Sequence, residues 1–348
     1  MAIDAKLAAT LAALLLSFYS YLFWTSRRAS KESTTGSAED DAGNSPHEPS
    51  IADVLVVKAM LNKALNLPPE IVNAIIDFAE YWPHSSTEVS FADSRVAARG
   101  GRQGDEDHFL LRSNPIGLQE LRRRGEGSLP SHRTPPKPQP PGEELSVDDF
   151  QTPEVSPVSM LAHPCRRIVF TIRSHDQGWG GDYHQRHTYN DSWTWFEVGL
   201  ERWCRTRPGS PGAAGQQQAI QQHSRPSLQL EDLCTVLPEV EWNGEAEDYV
   251  FNHPLFPRED LKIQCNRVAD GDSRTHRIIW SYTDDVDPER DVEAAARLNE
   301  QGRGSATGNG RFVRELKLGD VVTVWAKARF RGWANHVESV KLDVYYAI

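Results

Sequence analysis

From residue 165 to the end of the chain, apolar and polar side chains alternate with a period of two. The pattern runs through six segments, at residues 167–173, 192–204, 261–265, 278–282, 321–330 and 340–346. A period of two places alternate side chains on opposite faces of a β-strand. One apolar and one mixed face per strand is typical of two antiparallel sheets packed face to face. The predicted fold class is mainly β, with a jelly-roll-like antiparallel β-sandwich over residues 161–348.

Two insertions interrupt this pattern, at residues 205–230 and 284–310. The first contains RPGSPGAAGQQQAIQQHS, and the second begins with acidic residues and ends in GRGSATGNG. Segments with so few large apolar side chains cannot bury enough surface to form a core. Both are therefore predicted to project from the sheets as loops, the second with a short helix at 291–301.

Residues 50–83 follow the helical period instead. Val54, Leu61 and Ile75 belong to two apolar stripes with members three and four residues apart, and Pro68-Pro69 separates the stripes. Such spacing marks one face of an α-helix, and Pro69 fits the first turn of a second helix. The pattern predicts a small helical hairpin whose apolar stripe needs a partner surface.

Near the amino terminus, twenty uncharged residues, 7–26, lie between Lys6 and Arg27. A helix of that length spans about 30 Å, the thickness of a hydrocarbon core. Basic residues follow, which favours a cytosolic location for the rest of the chain. We expect residues 1–28 to be a single-pass transmembrane anchor. A cleaved signal peptide is the alternative, and it would place the chain in the lumen of the secretory pathway.

Two stretches have compositions typical of unfolded chain. Residues 29–49 contain almost no large apolar group, and residues 84–160 are largely charged, Gly-rich and Pro-rich, including PSHRTPPKPQPP. Such segments cannot offset the entropy of ordering them. They are predicted to be a disordered tether and a disordered Pro-rich linker.

Charge and cysteine content narrow the possible functions. The formal net charge of −11 argues against a general nucleic-acid binder, which needs a basic field. The four cysteines form no CxxC pair, which argues against a zinc ribbon. We expect reduced, buried thiols. Two disulfides in an oxidising lumen are the alternative.

The densest group of aromatic and polar side chains falls at residues 167–203, around a Gly-rich loop between two predicted strands. Loops at one end of a sandwich are held by the sheets and can present side chains in fixed positions. Tryptophan rings there would act as apolar platforms beside hydrogen-bonding groups, which suits a sugar or a polar peptide. The candidate ligand-binding residues are Asp176, Gln177, Trp179, Trp193, Trp195, Glu197, Arg331 and Trp333.

The same loop is rich in potential metal ligands, including His175, Asp182, His184 and His187. They lack the regular helical spacing of a motif such as HExxH. The chain also has no nucleophile elbow and no phosphate-binding Gly loop. We predict no catalytic residue, no metal and no cofactor. A metal-dependent hydrolase that uses this loop is an alternative.

Several motifs of the β region resemble a family of uncharacterised fungal proteins. They are SHDQGW at 174–179, TYNDSWTWFE at 188–197, LKIQCNRVADGDSRTHRIIW at 261–280 and VTVWAKARFRGWANHVESVKLDVYYAI at 322–348. The resemblance covers most of residues 167–348. It implies a shared β fold and lineage, and it brings no assigned activity.

The helical segment LNLPPEIVNAIIDFAEYW, residues 65–82, resembles the opening of an F-box, which begins Leu-Pro-x-Glu-Ile. The later part of that motif, with its final helix, is absent. The resemblance implies that Leu67, Pro68, Ile71 and Ile75 would bind a Skp1-type adaptor.

Together these patterns predict a membrane-anchored, non-enzymatic recognition protein that binds a protein or glycan through its β-sandwich loops. A substrate receptor of a ubiquitin ligase is the first alternative, and the hydrolase is the second.

Overall fold

The computed structural model describes residues 48–91, 96–102, 104–118, 131–139, 142–150, 157–205 and 233–348. The predicted anchor at 1–28 and nearly all of the tether lie outside these ranges, as does most of the insertion at 205–230. Within them, no helix has the length and apolar character needed to cross a bilayer.

The described chain is mainly β, with antiparallel sheets and few helices. The strands are β1 His84–Ser90, β2 Val96–Arg99, β3 Asp107–Arg112, β4 Glu143–Glu144, β5 Cys165–His175, β6 Thr194–Arg205, β7 Leu233–Leu237, β8 Glu239–Asn243, β9 Asp248–Asn252, β10 Lys262–Cys265, β11 Arg274–Ser281, β12 Val321–Ala328 and β13 Ala334–Tyr346. The α-helices are α1 Ile51–Leu65, α2 Pro69–Phe78, α3 Val292–Glu300 and α4 Arg311–Glu315.

These strands form two larger sheets and one hairpin. Sheet 1 has the order β1-β13-β5-β11, with β2 also paired to β13. Sheet 2 has the order β10-β6-β12-β3, with β4 and β7 also paired to β6. Strands β8 and β9 pair only with each other among the described strands. The long strands β5, β6, β12 and β13 are therefore the centre of the fold.

The apolar faces of both sheets contribute to one hydrophobic core. Phe170 on β5 and Leu342 on β13 come from sheet 1, and Phe196 on β6 and Val324 on β12 come from sheet 2; all four are fully buried. Each such side chain stabilises the fold by about 1.5–3 kcal/mol on burial. The predicted period-two pattern is confirmed in these four strands.

The helical hairpin is present, and its apolar stripe packs against the end of sheet 1. The side chains of Ser50 and Asp53 cap α1 reciprocally, and Pro69 opens α2. Val54, Ile76 and Trp82 form a small core with Ala347, directly after β13. The partner surface that the sequence requires is therefore the carboxyl-terminal end of the chain.

The prediction of a disordered linker at 84–160 is wrong for its first third. Strand β1 pairs with β13 along its whole length, from His84↔Tyr345 to Ser90↔Ser339. Strand β3 pairs with β12 at the edge of sheet 2. Strand β1 is mostly polar and takes its hydrogen bonds from the backbone of β13. Strand β3 carries the short apolar run Phe109-Leu110-Leu111 inside a charged, Gly-rich stretch, and it takes its hydrogen bonds from β12. Composition alone does not reveal such pairing.

The second insertion does not project freely, which corrects another prediction. The short helix is present as α3, but the chain after it lies against β10. The backbone N–H of Cys265 donates to Gly302 O at 2.7 Å, and the N–H of Gly304 donates to Lys262 O at 3.0 Å. The insertion thus covers the free edge of sheet 2, which would otherwise present unpaired backbone groups.

The expectation of four reduced thiols is wrong for two of them. Cys204 on β6 and Cys234 on the adjacent β7 form a disulfide. Cys165 and Cys265 are free and buried. Burial raises the pKa of the Cys165 thiol to about 12 and that of Cys265 to about 11, so neither forms a reactive thiolate.

Candidate functional site

The loop between β5 and β6, residues 176–193, is held in place by Asp176. This side chain is fully buried, and it accepts backbone N–H groups from Gly178 at 2.7 Å, Ala269 at 2.5 Å and Asp270 at 2.9 Å. Burial raises the pKa of Asp176, although the three donors act against this effect. The prediction that Asp176 contacts a ligand is therefore wrong, because the side chain is fully buried and both its oxygens accept backbone N–H groups, one from the loop and two from residues 269–270.

Gln177 joins the same loop to the start of β13. Its Oε1 accepts the N–H of Ala334 at 3.0 Å, and its Nε2 donates to the carbonyl of Trp179 at 2.5 Å. Trp179 itself is 63% exposed. A Cβ atom at Gly332 would lie 3.3 Å from Cη2 of the Trp179 ring. The indole therefore packs against the turn between β12 and β13 and leaves most of its surface open.

The same turn, residues 329–333, contributes Phe330 to a second aromatic group. The ring of Phe330 meets that of Trp193 edge-on, with centroids 4.5 Å apart, and Phe256 lies 5.9 Å from Trp193. Phe256 is 60% exposed and Phe330 is 43% exposed. Trp193 itself is half-buried.

Phe330 adopts a left-handed backbone conformation, with φ at 61°. For a bulky residue this conformation costs about 1–3 kcal/mol and marks a constrained site. The sequence pattern assigns Phe330 to the apolar face of β12. That prediction is wrong, because β12 ends at Ala328 and the chain turns before Phe330 can reach the core.

Arg331 and Trp333 complete the turn. Arg331 is exposed and Trp333 is half-buried. The backbone N–H of Gly100 donates to the carbonyl of Trp333 at 2.9 Å, which fastens the turn to the end of β2. We define the aromatic end as the surface that surrounds this turn. It consists of Trp179, Trp193, Phe256, Phe330 and Trp333.

Trp195 and Glu197 lie elsewhere, on the outer face of sheet 2, and both are buried. Trp195 Nε1 donates to Glu197 Oε1 at 2.8 Å, and the N–H of Arg258 donates to the same oxygen at 3.1 Å. The prediction that they bind a ligand at the loops is wrong. The segment after β9, residues 253–258, covers this part of the sheet, and its Arg258 binds Glu197.

The covered face of sheet 2 contains a cluster of buried charges around Lys327. Its Nζ lies 2.8 Å from Asp107 Oδ1, 3.3 Å from Glu197 Oε2 and 2.8 Å from His253 Nδ1. Arg329 also pairs with Asp107 at 2.8 Å. Burial and the nearby Lys327 lower the pKa of His253 to about 4, so the ring is neutral at neutral pH. Two cations therefore face two carboxylates, with no net charge.

A cavity of about 160 Å³ adjoins this cluster. Its walls include Glu197, Lys327 and Trp325 from sheet 2, with Pro238, Pro254 and Arg258 opposite. Among these residues, only Glu197 is a candidate from the sequence. The sequence shows only that Lys327 lies on the mixed face of its strand. The opposite wall of the cavity comes from residues more than sixty positions away in the chain, so the cavity itself is not visible in the sequence.

The histidine-rich loop is not gathered into a metal centre. His175 stacks on His336 with ring centroids 4.8 Å apart, and His187 lies 3.9 Å from Asp270. In the ranges that the structure describes, no group of three or more His, Cys, Asp or Glu side chains is arranged to hold a metal ion.

Of the F-box-like residues, Leu67 and Pro68 lie between α1 and α2, and Ile71 and Ile75 lie within α2. Pro68 and Ile71 are exposed, and Leu67 and Ile75 are half-buried. After α2 the chain turns into β1 at His84. A sheet strand thus occupies the position in which an F-box continues as helix.

No family model, curated protein or solved structure matches this chain. The resemblances to the fungal family and to the F-box therefore stay predictions from sequence motifs. The function has to be inferred from the side chains that the fold exposes and from how firmly it holds them.

Proposed function

We propose that this chain is a membrane-anchored, non-enzymatic recognition protein whose aromatic end binds a protein or glycan. The exposure of Trp179, Phe256 and Phe330 around a single turn carries the proposal. Grouped aromatic side chains exposed to water are unfavourable for a monomer and are typical of binding surfaces. The anchor at 7–26 belongs to the same proposal and rests on the sequence pattern.

The scaffold behind the aromatic end supports this function. We propose that the two sheets, whose apolar faces share one core, form a jelly-roll-like β-sandwich. Asp176 ties the loop at 176–193 to the backbone of 269–270, and Gln177 ties it to β13. A surface that is already ordered loses little conformational entropy when a ligand binds. The same rings on a mobile loop would bind more weakly.

A capture experiment tests the proposal. The full-length chain, fused to a proximity-labelling enzyme, would be compared with a Trp179→Ala, Phe256→Ala double variant. Trp242→Ala is the matched control, because Trp242 is 49% exposed on β8 and lies outside the aromatic end.

Partners that are lost with the double variant and kept with the control support recognition by the aromatic end. Identical partner sets for all three chains contradict it. Enzymatic removal of glycans from the captured partners then separates the two ligand classes, because only a glycan ligand loses binding.

A ubiquitin-ligase substrate receptor is the second candidate, and the exposure of Pro68 and Ile71 favours it. If the α1–α2 turn binds an adaptor protein, a Pro68→Ala, Ile71→Asp variant will lose that adaptor in co-purification. It will keep the partners captured by the aromatic end. Failure of the unaltered chain to co-purify with any such adaptor would remove this candidate.

A further inference from the structure

The outward half of α1 is apolar, although it faces away from the fold. Val54 and Ile76 pack inward with Trp82. On the other side, Val56 is 58% exposed and Met60 is 62% exposed. A surface helix normally carries polar side chains on its outer half. An apolar groove runs along this half of α1 and is lined by Val56, Ala59, Met60, Lys63 and Ala64.

We propose that this outward face of α1 lies in the interface of the bilayer that residues 7–26 enter. The inference rests on the proposed membrane anchor and extends it from the anchor to the folded part. The inward side of α1 packs on the fold, so the apolar side chains that stay exposed on its other side can be buried at the boundary of lipid headgroups and acyl chains. With fifteen residues, α1 is about 22 Å long, which suits such a position.

The proposed anchor lies close to α1 along the chain. Only residues 27–47 separate the uncharged stretch from the described residues, which begin at Glu48, directly before the helix. These twenty-one residues cannot span more than about 75 Å even when fully extended. An anchored chain therefore keeps α1 within reach of the bilayer surface.

The charges on α1 agree with a lipid surface. Lys63 is the single charged side chain that lines the groove. A lysine in this position can bury its carbon chain among the apolar groups and extend its ammonium group to lipid phosphates. The acidic Asp53 lies at the opposite end of the helix and is held in the cap with Ser50.

A lipid-quenching measurement on the full-length chain tests the proposal. A single environment-sensitive fluorophore would be attached through Met60→Cys, and the chain incorporated into vesicles of mixed zwitterionic and anionic lipids. The two free native cysteines are buried, so the new thiol reacts selectively. Val292→Cys is the matched control, because Val292 is also apolar, helical and 67% exposed.

Quenchers attached to the lipid chains should reduce the fluorescence at position 60 at least about twofold and leave position 292 unchanged. If the chain floats with the vesicles but both positions remain unquenched, the inference is overturned and the anchor stands. If the chain does not float at all, the anchor fails and the inference falls with it. Fluorophore self-quenching at position 60 without lipid quenching would instead show that a second copy covers the face.

Discussion

Arg112 and Glu201 form a two-point ion pair inside the protein, with nitrogen–oxygen distances of 2.8 and 2.9 Å. Their side chains are only 5% and 2% exposed. The pair links β3 to β6 across β12, which lies between them in sheet 2. A segment with the composition of a linker is thus fixed in the sheet by a buried charge as well as by backbone pairing.

Loss of one partner of this pair should be costly. We expect Arg112→Met to destabilise the fold by about 3–5 kcal/mol, because it leaves a carboxylate buried without its counter-charge. Arg112→Met combined with Glu201→Leu should recover much of that loss. Urea denaturation measures both. The control is Arg297→Met, which breaks an exposed pair with Glu293 and should cost no more than about 0.5 kcal/mol. Equal losses for Arg112→Met and Arg297→Met would contradict this prediction.

The same carboxyl should make stability depend on pH. Burial of Glu201 outweighs the attraction of Arg112 and raises its pKa from 4.5 to about 7. The folded chain therefore binds the proton more tightly than the unfolded chain does. The resulting stabilisation is present below about pH 4.5 and is lost as the pH rises through about 7.

The quantity to measure is the free energy of unfolding of the unaltered chain minus that of Glu201→Gln. It should fall by up to about 3 kcal/mol between these pH values. A difference that stays constant, or rises with pH, would show that Arg112 keeps Glu201 ionised throughout.

The long strands were predictable from sequence, and the short strands were not. Strands such as β5 and β13 contain seven-residue stretches, 167–173 and 340–346, that alternate between one apolar and one mixed face, and this pattern is visible without neighbours. Strand β1, with the sequence HSSTEVS, is polar on its own and becomes a strand because β13 offers a free edge. Its structure depends on pairing with residues of β13 that are more than 240 positions away in the sequence.

The candidate site was predictable only in part, for a related reason. Alternation correctly assigns Trp195 and Glu197 to the face of β6 away from the core, but exposure depends on what covers that face. The segment 253–258 covers that face, and Phe256 in this segment belongs to the aromatic end. Two prolines that flank an apolar pair, PLFP at 254–257, were the available signal for an exposed loop.

Asp176 should be required for the loop at 176–193. Asp176→Ala leaves the N–H groups of Gly178, Ala269 and Asp270 without their acceptor, and we expect a loss of about 2–4 kcal/mol. Thermal unfolding and limited proteolysis of the loop would measure it. Asp182→Ala is the control within the same loop, since the exposed side chain of Asp182 accepts the N–H of His184 alone. If the two variants have the same protease sensitivity and the same unfolding temperature, Asp176 does not hold the loop in place.

Phe330 should be important for binding and dispensable for folding. Phe330→Gly relieves the left-handed backbone strain and loses the ring contact with Trp193, so the unfolding free energy should change by less than about 1 kcal/mol. Capture of partners should nevertheless weaken, because a ring of the aromatic end is missing. Calorimetry together with partner capture measures both effects. A large loss of stability with unchanged capture would identify Phe330 as a structural residue.

The central claim is that the aromatic end is the surface covered by a ligand. Hydroxyl-radical footprinting of the full-length chain inside its native cells, compared with the purified chain, measures this directly at single residues. Trp179, Phe256 and Phe330 should become protected in the cells, and Trp242 should react equally in both samples. Protection of Trp242 alone, or equal reactivity of all four residues in both samples, would contradict the account.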